Sequence, residues 1–212
     1  MTMDKTIINI GRQLGSGGSQ IAKMLAEEFG CEFYDRKLLN LAAKESGFPE
    51  EMFEKTDEHV GFLKSLFTMP LPIISDSNFY KSDISEDGLF QFQSDAIRKA
   101  AEKGSCVFVG RCADYVLRDN PHAINIFVSA DMEWRANRVM ERHACSHDEA
   151  VKIIRLAEDK RASYYNYYTG KRWGDSASYH LCINSSLLGL RKTADVIALF
   201  IREWKQNNHT NL

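Results

Sequence analysis

The stretch "IINIGRQLGSGGSQIAKML", residues 7–25, decides how this chain is expected to fold. A short β-branched run leads into a glycine-rich turn, and a helical pattern of apolar residues follows directly. The glycines are Gly11, Gly15, Gly17 and Gly18. A strand, such a turn and a helix, in this order, can bind an anion with backbone N–H groups and the helix dipole. The stretch therefore predicts a phosphate-binding loop after the first strand.

The loop departs from the usual phosphate-binding pattern, G-x-x-x-x-G-K-[ST], at its cation. When Gly17 is aligned with the second glycine, Ser19 takes the hydroxyl position and Gly18 replaces the lysine. Arg12 then stands at the first glycine. Two interpretations remain open at this point. The loop is either a phosphate cradle whose cation comes from elsewhere or a tight turn that binds no ligand.

Apolar strand-like runs and helical patterns alternate along the rest of the chain. The predicted strands are Thr6–Ile10, Glu32–Tyr34, Cys106–Val109, Ala123–Val128 and His180–Ile183. The predicted helices are Gln20–Phe29, Ser94–Lys103, Ala130–His143, His147–Tyr168 and Leu190–Lys205. This alternation favours a parallel sheet with helices on both faces. The segment 36–93 interrupts it and is expected to be a lid, a binding arm or a mobile loop.

Composition excludes several classes of protein. A chain of 212 residues with 44% hydrophobic residues can bury one sizeable core. Its 27 basic and 29 acidic residues leave a net charge of −2, which argues against binding a nucleic acid polymer. Five scattered cysteines without a C-x-x-C pair argue against a disulfide framework and indicate a reducing compartment. With no apolar run of membrane-spanning length, the chain is expected to be cytoplasmic.

A second candidate binding segment is "CVFVGRCADYVL", residues 106–117. Arg111 follows the predicted strand and its glycine, at the end of the sheet where open α/β folds bind ligands. An arginine there can bind phosphate through two parallel hydrogen bonds. The alternative is an ordinary surface ion pair.

Two later helical segments are rich in arginine. Arg135, Arg138 and Arg142 recur at three- and four-residue steps and therefore share one helix face. Arg161 lies in the next segment, among tyrosines. Ion pairs on a solvated face explain either segment alone. Together with the glycine loop and Arg111, they instead favour phosphoryl transfer, which depends on well-placed positive charge.

The order of these motifs resembles that of the cytidylate kinase-like family. The resemblance is carried by "GRQLGSGGSQIAKMLAEEFG", "FYDRKLL", "VFVGRCADYVL" and "DKRASYYNYYTGKRWGDSASYHLCINSS", and it covers nearly the whole chain. It implies a P-loop NTPase-type three-layer α/β/α fold with a five-stranded parallel sheet, formed by residues 1–212 as a single domain. It also implies a helical arm for a nucleoside monophosphate, at about 36–93, and a short lid over ATP, at about 155–178.

The resemblance also implies roles for individual residues. Those expected to wrap the donor phosphates are Gly15, Ser16, Gly17, Gly18 and Ser19. Apart from the resemblance, the loop pattern makes Ser19 the candidate Mg²⁺ ligand, and the arginine-rich helix face makes Arg138 a candidate contact of the nucleotide. Those expected at the acceptor are Asp35 and Arg36, where the arm begins, and Arg111. Those expected to act in catalysis are Arg161, its acidic neighbour Asp159, and Arg12 as the substitute for the missing lysine.

This sequence departs from kinases of this type at two residues that are expected to take part in phosphoryl transfer. Gly18 stands at the loop lysine, and Val109 stands at the carboxylate that precedes the glycine and arginine after the third strand. The leading hypothesis is an ATP- and Mg²⁺-dependent kinase for a nucleoside monophosphate, with CMP as the first expectation, or for another small acceptor. A nucleotide-binding regulator with little or no kinase activity is the alternative. A flavodoxin-like anion-binding domain is disfavoured because it leaves the arginine-rich segments without a role; a homo-oligomer is left open.

Overall fold

The computed structural model describes residues 5–35 and 86–210 of this protein. Its strands are β1 (Ile7–Arg12), β2 (Glu32–Tyr34), β3 (Cys106–Val109), β4 (Ala123–Ser129) and β5 (Leu181–Asn184). Its helices are α1 (Gly18–Phe29), α2 (Glu86–Lys103), α3 (Ala113–Val116), α4 (Met132–His143), α5 (His147–Thr169) and α6 (Gly189–Thr210), with a 3₁₀ turn at Ser176–Ser178. None of these described helices is long and apolar enough to cross a membrane.

The strands form one sheet in the order β2–β3–β1–β4–β5, and every neighbouring pair is parallel. The predicted five-stranded parallel α/β sheet is therefore confirmed. Because β1 lies between β3 and β4, the segments that follow these three strands leave the sheet at one edge. That edge is where open α/β sheets bind their ligands.

One face of the sheet packs against α1 and α6. Ile8 and Ile10 of β1 are buried with Ile21 and Leu25 of α1 and with Ile197 of α6, in one apolar cluster. Full burial of such a side chain contributes roughly 1.5–3 kcal/mol. This core fixes α1, and with it the loop at its start, against the end of β1.

The opposite face carries aromatic side chains. Phe127 of β4 contacts Trp173 edge-on, with ring centres 5.4 Å apart, and Tyr179 at 5.0 Å. A Cβ atom added to Gly11 would lie only 2.7 Å from the Phe127 ring and 3.2 Å from the Tyr179 hydroxyl. The aromatic cluster therefore lies directly over the last part of β1, next to the loop.

Several element boundaries differ from the sequence-based expectation by one to eight residues. β1 continues through Gly11 to Arg12, because Arg12 stays in register with Val128 of β4. Arg12 is therefore the last residue of the strand, and its placement within the loop was wrong. Helix α1 begins at Gly18, two residues before the predicted start, and α2 begins at Glu86, ahead of the predicted Ser94.

The chain divides into two compact units, residues 1–35 with 98–212 and residues 36–97. The expected arm at 36–93 belongs to the second unit, and most of it, including Arg36, lies outside the described residues. The sheet and all side chains discussed below belong to the first unit.

Candidate phosphate-binding site

Two glycines shape the loop between β1 and α1. Gly15 and Gly17 have φ angles of 81° and 78°, in the left-handed region that favours glycine. A Cβ atom on Gly15 would lie 2.8 Å from the carbonyl oxygen of Arg135, and one on Gly17 would collide with the side chain of Leu190. The loop is thus held tightly between α4 and the start of α6, with no room for side chains at these positions.

Ser16 and Ser185 hold the loop together from inside. The Ser16 hydroxyl is fully buried, donates to the carbonyl of Gln13 at 2.9 Å and accepts from the amide of Gly18 at 3.3 Å. Ser185, just after β5, donates to the carbonyl of Ser16 at 2.6 Å. The Ser16 amide also donates to the Gln13 carbonyl, at 3.4 Å, so both donors of Ser16 are used within the loop. The expected contact of Ser16 with the donor phosphates stays a prediction.

The loop presents backbone donors together with the start of a helix. Within the described residues, the amides of Gly15, Gly17 and Ser19 donate no hydrogen bond to the protein. Helix α1 begins at Gly18 without a capping side chain or an acidic residue in its first turn, so nothing offsets the positive end of its dipole. The half-buried Ser19 hydroxyl also has no hydrogen-bond partner in the described part of the chain. These groups fit a phosphate chain and the Mg²⁺ that accompanies it.

The side chain of Arg12 occupies the space beside Gly18. A Cβ atom added to Gly18 would lie 2.5 Å from Cβ and 3.1 Å from Cγ of Arg12. At the other end of the side chain, a Cβ atom added to Gly110 would collide with the guanidinium nitrogen Nη1 of Arg12. The Arg12 side chain therefore runs from the start of α1 to the end of β3, and its charge lies beside Gly110.

The turn after β3 is strained. Gly110, Arg111 and Cys112 have φ angles of 72°, 57° and 55°, three left-handed residues in a row. This conformation costs roughly 1–2 kcal/mol for a residue other than glycine, and such strain concentrates at functional sites. Arg111 makes no ion pair or hydrogen bond within residues 5–35 and 86–210, so a surface ion pair does not explain it. Its predicted contact with the acceptor remains a prediction.

Two arginines of α4 and α5 contact the loop backbone. Arg161 is buried on α5, and its Nη1 donates to the carbonyl of Arg12 at 3.3 Å. Arg138 of α4 donates from Nε to the carbonyl of Gly15 at 3.1 Å, while its guanidinium packs over the Trp134 ring at 4.7 Å. The structure therefore brings Arg12, Arg138 and Arg161 to one loop. Their expected roles in nucleotide binding and catalysis stay predictions.

The two neighbouring acidic residues of α5 have different environments. Asp159, predicted to act in catalysis, is exposed and makes no ion pair within the described part of the chain. Glu158 instead faces inward and pairs with the buried Arg135. Burial raises the pKa of Glu158, and the Arg135 charge opposes this shift. Helical spacing could have found Glu158, because it lies three residues before Arg161 on the same face.

A partly buried group that the sequence interpretation missed joins three segments. Tyr165 of α5 donates to a carboxylate oxygen of Asp114 in α3 at 2.6 Å, and the phenol of Tyr179 interacts with both. Asp35 lies one residue beyond β2, the strand beside β3. Its expected role at the acceptor stays a prediction.

Comparisons with known proteins identify the family. The family described as "Cytidylate kinase-like family" matches residues 7–187. The cytidylate kinase of Pyrococcus horikoshii is 28% identical over 188 residues, covering 88% of this chain and 83% of that protein. The cytidylate kinase of Methanopyrus kandleri is 26% identical over 189 residues, covering 85% and 84%.

Solved structures agree with this fold. An uncharacterized protein from Eubacterium ventriosum matches with a TM-score of 0.70 and 30% identity, over 93% of this chain and 99% of that one. A shikimate kinase from Bacteroides thetaiotaomicron matches with a TM-score of 0.52 at 16% identity, over 93% and 97%, which is a likeness of fold alone. The three-layer P-loop-type α/β fold is therefore confirmed, and the comparisons support a kinase-like phosphotransferase.

The first prediction tests the loop as an anion site. Gly17→Ala should lose most of the rise in Tm that Mg·ATP or pyrophosphate gives the wild type, because the methyl group displaces Leu190 and distorts the donor amides. Gly30→Ala is the matched control, since Gly30 is also left-handed, at φ 61°, but has nothing within 4 Å of the added Cβ. Equal ligand-induced shifts in the two folded variants would contradict a phosphate-binding role.

Proposed function

This chain belongs to the cytidylate kinase-like family, and from that premise we propose that it transfers the γ-phosphoryl group of ATP to a nucleoside monophosphate. CMP is the first candidate acceptor, because the relatives from P. horikoshii and M. kandleri are named cytidylate kinases. Another small phosphate-bearing acceptor is the broader form of the same proposal. A cytoplasmic location and a homo-oligomeric state stay predictions.

The observation that carries the proposal is the position of Arg12. Gly18 removes the lysine of the usual loop, and the Arg12 side chain fills the space beside it. Its guanidinium lies between the donor loop and the end of β3, where the strained Arg111 begins the acceptor side. A positive charge between two phosphate groups is what phosphoryl transfer requires, because negative charge must be stabilised while the groups approach.

The remaining residues divide into two sets. The donor side consists of the free amides of Gly15, Gly17 and Ser19, with Arg138 supporting the loop from outside. The Ser19 hydroxyl would bind Mg²⁺, which would neutralise part of the triphosphate charge. The acceptor side consists of Arg111, whose planar guanidinium suits a monophosphate.

In the proposed reaction, Arg161 acts between the two sides. Its contact with the Arg12 carbonyl puts a second guanidinium beside the loop. In the reaction, the bond between the γ-phosphorus and its bridging oxygen breaks, and a new bond forms to an oxygen of the acceptor phosphate. Fixed cations that match the charge of the transition state typically contribute a few kcal/mol each.

A nucleotide-binding regulator is the second candidate function, and one observation favours it. Val109, at the end of β3, is buried in the apolar cluster and supplies no carboxylate there. With the loop lysine also replaced, the same cradle could bind nucleotide with little turnover. Both functions share the anion site and differ in whether product forms.

The direct experiment is an acceptor panel with the wild-type chain. Purified protein is incubated with ATP, Mg²⁺ and each nucleoside monophosphate, and the diphosphate product is measured, with CMP expected to give the fastest turnover. Ligand-induced shifts in Tm are recorded for the same mixtures. Stabilisation by ATP without product from any acceptor would support the regulator instead.

The second prediction concerns Arg111. Arg111→Gly should raise KM for the acceptor roughly tenfold or more and change KM for ATP little, because hydrogen bonds to a charged group contribute about 1.5–3 kcal/mol. The same variant should keep or raise Tm, since glycine removes the left-handed strain.

Arg118→Ala is the control for this change. Arg118 lies in the same segment but is exposed and pairs with Asp119, so its loss should leave both KM values near those of the wild type. An equal rise in KM for ATP and acceptor in Arg111→Gly would place Arg111 outside the acceptor site.

A further inference from the structure

The three proposed arginines nearest the reaction come from three separate elements. Arg12 ends β1, Arg111 lies in the turn after β3, and Arg161 lies in the middle of α5. Transfer of a phosphoryl group needs such groups at fixed mutual distances, and a displacement of about 1 Å can cost roughly 100-fold in rate. Something in the fold must therefore hold these elements together.

A chain of polar contacts joins the same elements. Tyr165 donates a hydrogen bond to Asp114 at 2.6 Å, and the phenol of Tyr179 lies close enough to Tyr165 and Asp114 to interact with both. The Asp114 carboxylate and the two phenols are therefore neighbours.

Two members of this chain lie three or four residues after an arginine of the site in the sequence. Asp114 follows Arg111 by three residues, at the start of the short helix that leaves the strained turn. Tyr165 follows Arg161 by four residues, and both are buried on the same face of α5. The bond between Asp114 and Tyr165 therefore ties the Arg111 turn to the Arg161 helix.

Tyr179 connects the chain to β1. A Cβ atom on Gly11 would lie 3.1 Å from the Tyr179 ring and 3.2 Å from its hydroxyl, so the phenol rests against the residue before Arg12. Phe127 of β4 packs against the Tyr179 ring, with ring centres 5.0 Å apart. All three arginine-bearing elements thus meet at one buried network.

The two phenols keep their protons at neutral pH. Burial and the nearby Asp114 charge raise the pKa of Tyr165 and of Tyr179 above that of a free phenol. Burial also raises the pKa of Asp114, whereas the hydrogen bond from Tyr165 and the charge of Lys171 lower it. Tyr165 therefore remains a hydrogen-bond donor to Asp114.

We propose that Asp114 and Tyr165 are positioning residues that set Arg161 and the Arg111 turn relative to Arg12 without contacting substrate. The effect on turnover rests on the proposed phosphotransfer, whereas the effect on the arginines does not. The positioning role requires a side-chain oxygen at position 114 that accepts the hydrogen bond from Tyr165. Asparagine should therefore preserve this role, and alanine should not.

The experiment compares Tyr165→Phe with Tyr167→Phe, a matched control on the same helix whose side chain is 73% exposed. The arginine Nε–H signals of ¹⁵N-labelled protein are recorded without substrate, with the Arg161 signal assigned from Arg161→Lys. Kinetics with ATP and CMP are measured in parallel. Tyr165→Phe should shift the signals of Arg161 and Arg111 and lower kcat roughly tenfold or more with KM for ATP nearly unchanged. Tyr167→Phe should match the wild type in both.

A second pair of variants, at Asp114, separates the effect of the hydrogen bond from the effect of the carboxylate charge. Asp114→Asn should retain most of the kcat and the arginine signals that are lost in Asp114→Ala. If Tyr165→Phe does not fold, the two Asp114 variants and Tyr179→Phe test the positioning role instead. Unchanged arginine signals in Tyr165→Phe, or an Asp114→Asn variant as impaired as Asp114→Ala, would overturn the proposal. Absence of wild-type turnover with altered signals in Tyr165→Phe would reject the kinase function and retain the positioning role.

Discussion

Side chains at positions 12 and 18 would occupy the same space, and this steric constraint determines how the site is organised. With an arginine at the end of β1, the first residue of α1 can carry no side chain, because even a Cβ atom would lie 2.5 Å from the Cβ of Arg12. In the usual loop pattern the assignment is reversed, with glycine at the first position and lysine at the later one. The cation that we propose for this loop therefore comes from the strand instead of the helix.

This exchange explains features that lie farther from the loop. In this protein the guanidinium of Arg12 reaches the end of β3, where a Cβ atom at position 110 would collide with it. Gly110 then begins the left-handed turn that carries Arg111. The parallel order with β1 between β3 and β4 places both arginines at one edge of the sheet. In the proposed reaction, the donor and acceptor sides therefore share a cation as well as an edge of the sheet.

The sequence predicted the sheet and the loop well, because short apolar strands, helical periods and glycine spacing are local signals. It also identified Arg12 and Gly18 as the unusual pair, although Arg12 proved to be a strand residue. It chose Asp159 over Glu158, since adjacent acidic residues are equivalent until the buried face of α5 is known. The bond between Asp114 and Tyr165 spans 51 positions, and no local pattern reports such a contact.

The most direct test of the exchanged cation is a double-mutant cycle of Arg12→Gly and Gly18→Lys, which together restore the usual order of glycine and lysine. Affinity for Mg·ATP is measured by calorimetry in the wild type and all three variants. We predict that each single change weakens binding, one by removing the cation and the other by the steric clash, and that the double variant recovers affinity, with a coupling of about 0.5–3 kcal/mol. Losses that simply add in the double variant would contradict the claim that Arg12 takes the place of the loop lysine.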